Sequence, residues 1–334
     1  SFQAVPVASW GRRYFAVTLF DFPSIQITSD GDRNLVRIRF RFHGTRSPTL
    51  TYSNVEYAPD KTLHVELDRG GSFSIHHCDK VKEKHNGSLT GSSVVGQFPI
   101  GVISGNCDTA TYTTNCRNYR LDRWGSTADV VTEMLLPVEA YGTEFIVVSF
   151  NKRSPHGVLM IVASENDTEV SIFLTSDGRT KNITLIHAGD LNKEVIIDDH
   201  RMVLSDKKIQ VVMMSRSACW SSEGLEHQGD SSISLLIPNY LFYVEYFWIT
   251  PNITPDSYAA LVSENDKIEY LVFDLEPVPD TSTWEEVTGP TSYIVTSVRA
   301  STGSHSAAST HYFKFGCYLV GITHKAEYMY PAGF

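Results

Sequence analysis

The sequence predicts an all-β chain, made of three tandem β-sandwich-like modules related by an internal repeat. Three observations carry this. Two sequence blocks recur in the same order three times. Short apolar runs alternate with Gly-, Asn-, Asp- and Ser-rich turn signals at a spacing of roughly 8–12 residues, as in sandwiches. Apolar residues at helical spacing, the mark of an amphipathic helix, occur almost nowhere.

The first block is an apolar residue, a proline and, eight residues after the proline, an aromatic. It reads Val5-Pro6 with Tyr14, Leu136-Pro137 with Phe145, and Ile237-Pro238 with Tyr246. The second block reads Ser29-Asp30-Gly31-Asp32, then Ser164-Glu165-Asn166-Asp167, then Ser263-Glu264-Asn265-Asp266. Gly and Asn tolerate positive φ, and Asp and Ser bond nearby backbone N–H groups, so each copy predicts a hairpin turn. The carboxylates also allow a calcium loop, but none has the EF-hand spacing. A β-rich segment follows each turn: Leu35 to Phe40, Glu169 to Leu174 and Tyr270 to Phe273. The repeat divides the chain into modules 1–128, 129–229 and 230–334.

The remaining elements also read as strands. Phe145 to Phe150 is a continuous apolar run suited to burial on both faces. Pro99 to Ser104, Ile209 to Met214 (after a polar Ser205 to Lys208) and Phe315 to Ile322 are counterparts of one another. Thr127 to Leu136 allows one short helix, although its counterpart Ser231 to Ile237 reads as strand. The most apolar stretch, Leu235 to Thr250, is interrupted by Pro238, Asn239 and Glu245. A membrane-crossing helix needs about 20 largely apolar residues, so this run predicts core and opens the third module.

Composition narrows the function. A net charge of −10 opposes nucleic-acid binding and a polybasic membrane surface. The start at Ser1, with no methionine and no charged-then-apolar leader, predicts a mature product or a fragment. The five cysteines form no C-x-x-C pair, against a zinc ribbon or thioredoxin-type site. Cys107 and Cys116 flank a polar loop that allows a local disulfide; Cys78, Cys219 and Cys317 remain, so at least one thiol is free or paired elsewhere. Four N-x-S/T sequons, at Asn86, Asn166, Asn182 and Asn252, fit a secreted glycoprotein, and all fall where turns are expected.

No G-x-S-x-G, H-E-x-x-H, G-x-G-x-x-G or P-loop is present. His76-His77-Cys78 cannot converge on a metal from one strand, because alternate residues face opposite sides. Asp198-Asp199-His200 reads as a loop with Arg201. The expectation is therefore no enzyme, no metal and no cofactor. Contact residues are sought instead on the loops from Gly105 to Thr127 and from Arg216 to Asp230. These carry Tyr112, Tyr119, Arg120, Arg123, Trp124, Arg216 and Trp220, the residue types that anchor interfaces. The competing reading places Trp124 and Trp220 in the junctions between modules.

Pro137 to Phe145, Ile100 to Gly105 ahead of Cys107 and Cys116, Ala163 to Thr168, and Tyr330-Pro331-Ala332-Gly333 together resemble the N-terminal domain of the IgG Fc-binding protein family. The resemblance runs from about residue 5 to the end. It implies a secreted, non-enzymatic β-rich region within a larger extracellular or mucus-type protein, and pairing of Cys107 with Cys116. It transfers no ligand; the expected partners are other extracellular proteins or glycans. A lectin-like carbohydrate-binding module and an extracellular hydrolase on a β scaffold are the alternatives.

Overall fold

The computed structural model describes residues 3–19, 22–44, 50–76, 87–109, 129–149, 157–196, 200–215, 231–252, 256–278, 283–323 and 327–333. Their regular structure is all-β apart from short 3-10 turns. Several sheets form, and two of them curl into half-barrels.

The first sheet system contains β1 (Gly11–Phe15), β2 (Pro23–Ser29), β3 (Asn34–Arg39), β4 (His43–Gly44), β5 (Leu50–Tyr52), β6 (Val55–Tyr57), β7 (Thr62–Leu67), β8 (Ser72–His76), β9 (Gly87–Ser88), β10 (Ser93–Thr109) and β11 (Asp129–Met134). Strands β4 and β9 form a separate ribbon, as do β5 and β6. The other seven form one sheet around β10. The first part of β10 pairs with β1 and β3, and its second part with β2 and β11. The change of partners falls at Gly96 to Ile100, where the buried Asn34 side chain stands in for the ladder. Its Oδ1 accepts from Phe98 N at 2.9 Å and its Nδ2 donates to Phe98 O at 3.2 Å.

The second system contains β12 (Gly142–Val147), β13 (Val158–Ala163), β14 (Thr168–Leu174), β15 (Thr180–Leu185), β16 (Leu191–Val195), β17 (Arg201–Met214) and β18 (Ile233–Leu235). All seven form one sheet around β17, which pairs first with β12 and β14, then with β13 and β18. The third contains β19 (Glu245–Thr250), β20 (Asp256–Glu264), β21 (Leu271–Phe273), β22 (Glu276–Pro277), β23 (Glu285–Val287), β24 (Tyr293–Arg299), β25 (Gly303–Ser309), β26 (Gly316–Ile322) and β27 (Glu327–Pro331). It forms two sheets, β19-β25-β21-β22 and β23-β24-β20-β26-β27.

Each of the three prolines precedes a three-residue 3-10 turn: Val7–Ser9, Val138–Ala140 and Asn239–Leu241. The proline carbonyl accepts the closing bond each time, from Ser9, Ala140 and Leu241, at 2.8, 2.9 and 2.9 Å. Proline suits this place because its φ near −65° is already set and no N–H is lost.

Several expectations change. The Ser29–Asp32 and Ser164–Asp167 turns are not hairpins. Strand β2 pairs with β8 and β10 but β3 with β7 and β10, and β13 and β14 divide in the same way. Turn chemistry reverses the chain without choosing the strand's partner. In the third copy Ser263 and Glu264 end β20, and Asn265–Tyr270 is a 3-10 turn. The described part of Thr127 to Leu136 is not a helix: Asp129–Met134 forms β11. Ser205 to Lys208 lies inside β17, and Asn182 lies inside β15 rather than in a turn. Leu235 ends β18, which pairs back to β17 instead of opening the third system.

Among the described residues, three buried clusters form the interior. One, around Tyr14, Ile27, Val36 and Val94, lies within the first system. Another, around Tyr246, Trp248, Leu261 and Leu319, lies within the third. The largest joins the whole second system to residues of both others. Cys317 is a free thiol buried in the third core. Burial pushes its pKa up, so it behaves as a core residue, not a reactive one.

Candidate interaction surfaces

The joints between systems show which faces are built for contact. At the end of β1 and just after it, Tyr14 and Ala16 belong to the first core, while Phe15 and Val17 belong to the cluster shared with the second system. Backbone meets backbone nearby. A Cβ on Gly91 would lie 2.1 Å from Gly189 O, and one on Gly189 2.6 Å from Gly91 O. Arg41 Nη1 pairs with Asp190 Oδ1 at 2.7 Å across the same joint. Glycines also seat the prolines: a Cβ on Gly11 would lie 2.4 Å from Pro137 Cβ, and one on Gly142 2.2 Å from Pro238 Cβ. Between the second and third systems, His200 Nε2 faces Glu285 Oε2 at 3.4 Å, and Thr288 N donates to Thr175 Oγ1 at 3.0 Å. His200, expected in a loop with Arg201, is thus buried at this joint, where its Nδ1 accepts from Ser149 N at 3.0 Å.

Four residues past each proline stands an aromatic: Trp10, Tyr141 and Phe242. Phe242 lies over Gly316, and the Tyr141 hydroxyl bonds Gln210 Oε1; both side chains are buried. Trp10 lies over Gly101, where a Cβ would be 2.6 Å from its ring, and its Nε1 donates to Val5 O at 3.0 Å. It is only half-buried, and it lines a pocket of about 200 Å³. The other walls are Phe73, Ile103 and Met134, with a rim of Gln26, Thr28, Ser72 and Ser74.

The rim is polar where its counterparts are not. Gln26 and Thr28 stand three and one residues before the Ser29 turn. Ile161 and Ala163, and Ala260 and Val262, occupy these places before Ser164 and Ser263. Those four are fully buried in the shared cluster, whereas Gln26 is exposed and Thr28 half-buried. Sequence reasoning missed this pocket; the available signal was the polar pair inside an otherwise apolar strand alignment.

The contact residues expected from sequence fall elsewhere. Tyr112, Tyr119, Arg120, Arg123, Trp124, Arg216 and Trp220 lie outside the described residues, as do Asn86, Cys78, Cys116 and Cys219. Cys107 is disulfide-bonded. Asn166, Asn182 and Asn252 are exposed, and each presents Oδ1 as an acceptor to a neighbouring donor. No cluster of three or more His, Cys, Asp or Glu suited to a metal occurs among the described residues. His76 sits at the exposed end of β8, bonded to Ser74 Oγ. No helix among them is long and apolar enough to cross a membrane.

These features define a β-rich scaffold of several sheets joined through a shared buried cluster. The family model described as IgGFc binding protein matches residues 1–321, and the chain belongs to that family. A human protein named IgGFc-binding protein is 24% identical over 202 residues, or 60% of this chain. The match spans only 3% of that protein's length. The family is named for binding, not for a reaction.

Proposed function

We propose that this chain is an extracellular interaction region built from three copies of one curled β unit. It acts by contact without turnover, as one stretch of a larger secreted or mucus-type assembly. The three-copy reading is supported by strand pairing. Strands β12, β13, β14, β15, β16, β17 and β18 repeat the partners of β1, β2, β3, β7, β8, β10 and β11. In the third copy β25 and β26 divide the role of one long strand: β19 and β21 flank the former, β20 and β27 the latter. Because β11 and β18 pair backward, the cuts belong at Leu136-Pro137 and Ile237-Pro238 instead of 129 and 230.

Extracellular placement is supported by family membership and by three exposed sequon asparagines. We assign glycosylation to Asn86, Asn166, Asn182 and Asn252, and a disulfide to Cys107 with Cys116. Chain secreted from animal cells is expected to lose mass on enzymatic N-deglycosylation, and Asn166→Gln to remove one glycan; an unchanged intact mass rejects the assignment.

The observation that carries the contact site is the Trp10 pocket, apolar in its floor and polar at its rim. Immunoglobulin Fc is the first ligand to test, because the family and the human relative carry that name. Ser74 is exposed on β8, so Ser74→Arg obstructs the pocket without disturbing the core. Surface-immobilised chain is expected to bind Fc, and Ser74→Arg to weaken binding at least about tenfold, which is 1.4 kcal/mol. An Fc signal unaffected by Ser74→Arg removes the pocket from the reading. A second reading, glycan binding, is favoured by the same aromatic floor and hydroxyl rim. It prevails if a glycan array gives binding that Ser74→Arg abolishes while Fc gives none. The loops bearing Tyr112, Tyr119, Arg123, Trp124, Arg216 and Trp220 remain a further proposed contact region.

A further inference from the structure

The first sheet carries a basic row that its counterparts lack. Tyr14 of β1, Val94 of β10, Ile38 of β3 and Leu63 of β7 are register partners across four strands, and all are buried in the first core. The adjacent row is Arg13, Val95, Arg37 and His64, in the same strand order. Successive residues face opposite sides of a sheet, so this row stands on the outer face. Arg13, Arg37 and His64 are exposed there, and Val95 is half-buried between the two arginines. Two nearby arginines are already engaged: Arg39 pairs with Asp60 at 3.0 Å, and Arg33 with Glu66 at 3.6 Å. The side chains of Arg13, Arg37 and His64 make no hydrogen bond or ion pair among the described residues.

The fold does not require these charges. Arg13 stands seven residues past Pro6, and Glu144 and Glu245 stand seven past Pro137 and Pro238. From there the same row reads Glu144, Leu204, Ser171 and Asn182 in the second system. In the third it reads Glu245, Ala308, Val272 and Pro277. Neither row contains an arginine or lysine. The contrast between copies uses the three-copy reading, whereas the row stands on strand register alone.

We propose that this row binds an anionic polysaccharide, a chain bearing sulfate or carboxylate groups, laid across the strands. Guanidinium groups take either anion through paired N–H donors. The chain as a whole carries −10, so the attraction is local to this face. The direction of the row selects the kind of polyanion. Neighbouring strands lie about 4.8 Å apart, so the row from Arg13 to His64 spans roughly 14 Å at right angles to them. An acidic peptide adding to the free edge of β7 would run along the strand instead. It would meet His64 and then Glu66, two residues on and on the same face, which repels it. A folded protein partner would need an apolar anchor, and the row offers only Val95. A polysaccharide binds side chains alone, and its charges recur along its length. The surface is separate from the Trp10 pocket, whose strand residues come from β2, β8, β10 and β11.

Surface plasmon resonance on the immobilised full chain tests this with a heparin oligosaccharide, rich in sulfate, a hyaluronan oligosaccharide, bearing carboxylates only, and poly-glutamate. At least one glycan is expected to bind at about 0.15 M salt and to be released at roughly 1 M, where screening is much stronger. Arg37→Ser supplies the second system's residue at this place in the row. It is expected to weaken glycan binding about tenfold, the loss of one charge-assisted contact. Arg69→Ser removes an equal charge from the turn after β7 and is expected to leave binding unchanged. Both side chains are exposed, so both variants should keep the wild-type unfolding midpoint. Absence of glycan binding at the lower salt overturns the proposal. Equal losses in Arg37→Ser and Arg69→Ser also overturn it, by tracing the attraction to total charge. Poly-glutamate bound as tightly as the glycans, with the same loss in Arg37→Ser, overturns it in favour of an acidic polypeptide.

Discussion

Gly91→Ala is expected to destabilise the chain by about 2–5 kcal/mol. Two effects add. Gly91 has φ +83°, a conformation costing an L-residue roughly 1–2 kcal/mol. The new methyl would also lie 2.1 Å from Gly189 O, and overpacking costs typically about 1–3 kcal/mol. Neither side can yield cheaply, because the opposing atom is backbone and Gly189 is itself at φ +84°. Gly178→Ala is the control. Its φ is +67° with open space around the added carbon, so it isolates the conformational part at roughly 1–2 kcal/mol. Denaturant titration of both variants measures the difference. Equal losses would show that the Gly91–Gly189 approach does not hold the two systems together.

Glu133 gives the second large effect, and it depends on pH. Its side chain is 2% exposed between β11 and β18. Its two oxygens accept from Met134 N and Leu235 N, both at 3.0 Å. Burial pushes the carboxyl up to about 8, against the opposing pull of those two N–H groups. A carboxyl whose folded pKa is raised contributes stability that is fully present below its unfolded pKa, near 4.5. That contribution is lost as pH climbs through about 8. The swing is on the order of a few kcal/mol. The unfolding midpoint of the wild type should therefore fall between pH 5 and 8 relative to Glu133→Gln, which has no carboxyl to ionise. The amide keeps one of the two acceptors, so a pH-independent loss of roughly 1–3 kcal/mol is also expected. Parallel midpoint curves for the two proteins would show that Glu133 is already ionised in the fold.

The repeated proline blocks were legible because proline and glycine are local signals: φ is set by the residue itself. The all-β character was legible for a similar reason, since strand-forming residues alternate with turn formers throughout. The long strand β10 was not. Only Pro99 to Ser104 reads as strand, yet β10 runs from Ser93 to Thr109, with Gly101 making room for Trp10 and Asn34 bridging the bend. Partner choice was hidden too, because a Ser-Asp-Gly-Asp turn looks alike whether its strands pair with each other or across β10.

The contact faces were the least legible part. Tyr246 to Ile249 reads as uniformly apolar and aromatic, and the whole run from Leu235 predicts core. Only the fold separates Tyr246 and Trp248, which face inward, from Phe247 and Ile249, which do not. The signal lay in the alignment rather than the run. Phe15, Ile146 and Phe247 are all apolar, but the next system buries only the first two. Gln26, in contrast, departs from Ile161 and Ala260 at a position where the fold leaves it wet.

The second system keeps no core of its own, since its interior side chains belong to one cluster with Phe15 and Val17 on one side and Val287 and Val295 on the other. This constrains how the gene can change. A bead on a string can be duplicated or deleted with two cuts in linkers. Removing the second system here would strip the cover from residues of both its neighbours and press together faces that were never matched. The three sheet systems therefore have to move together for recombination to leave their shared interior intact.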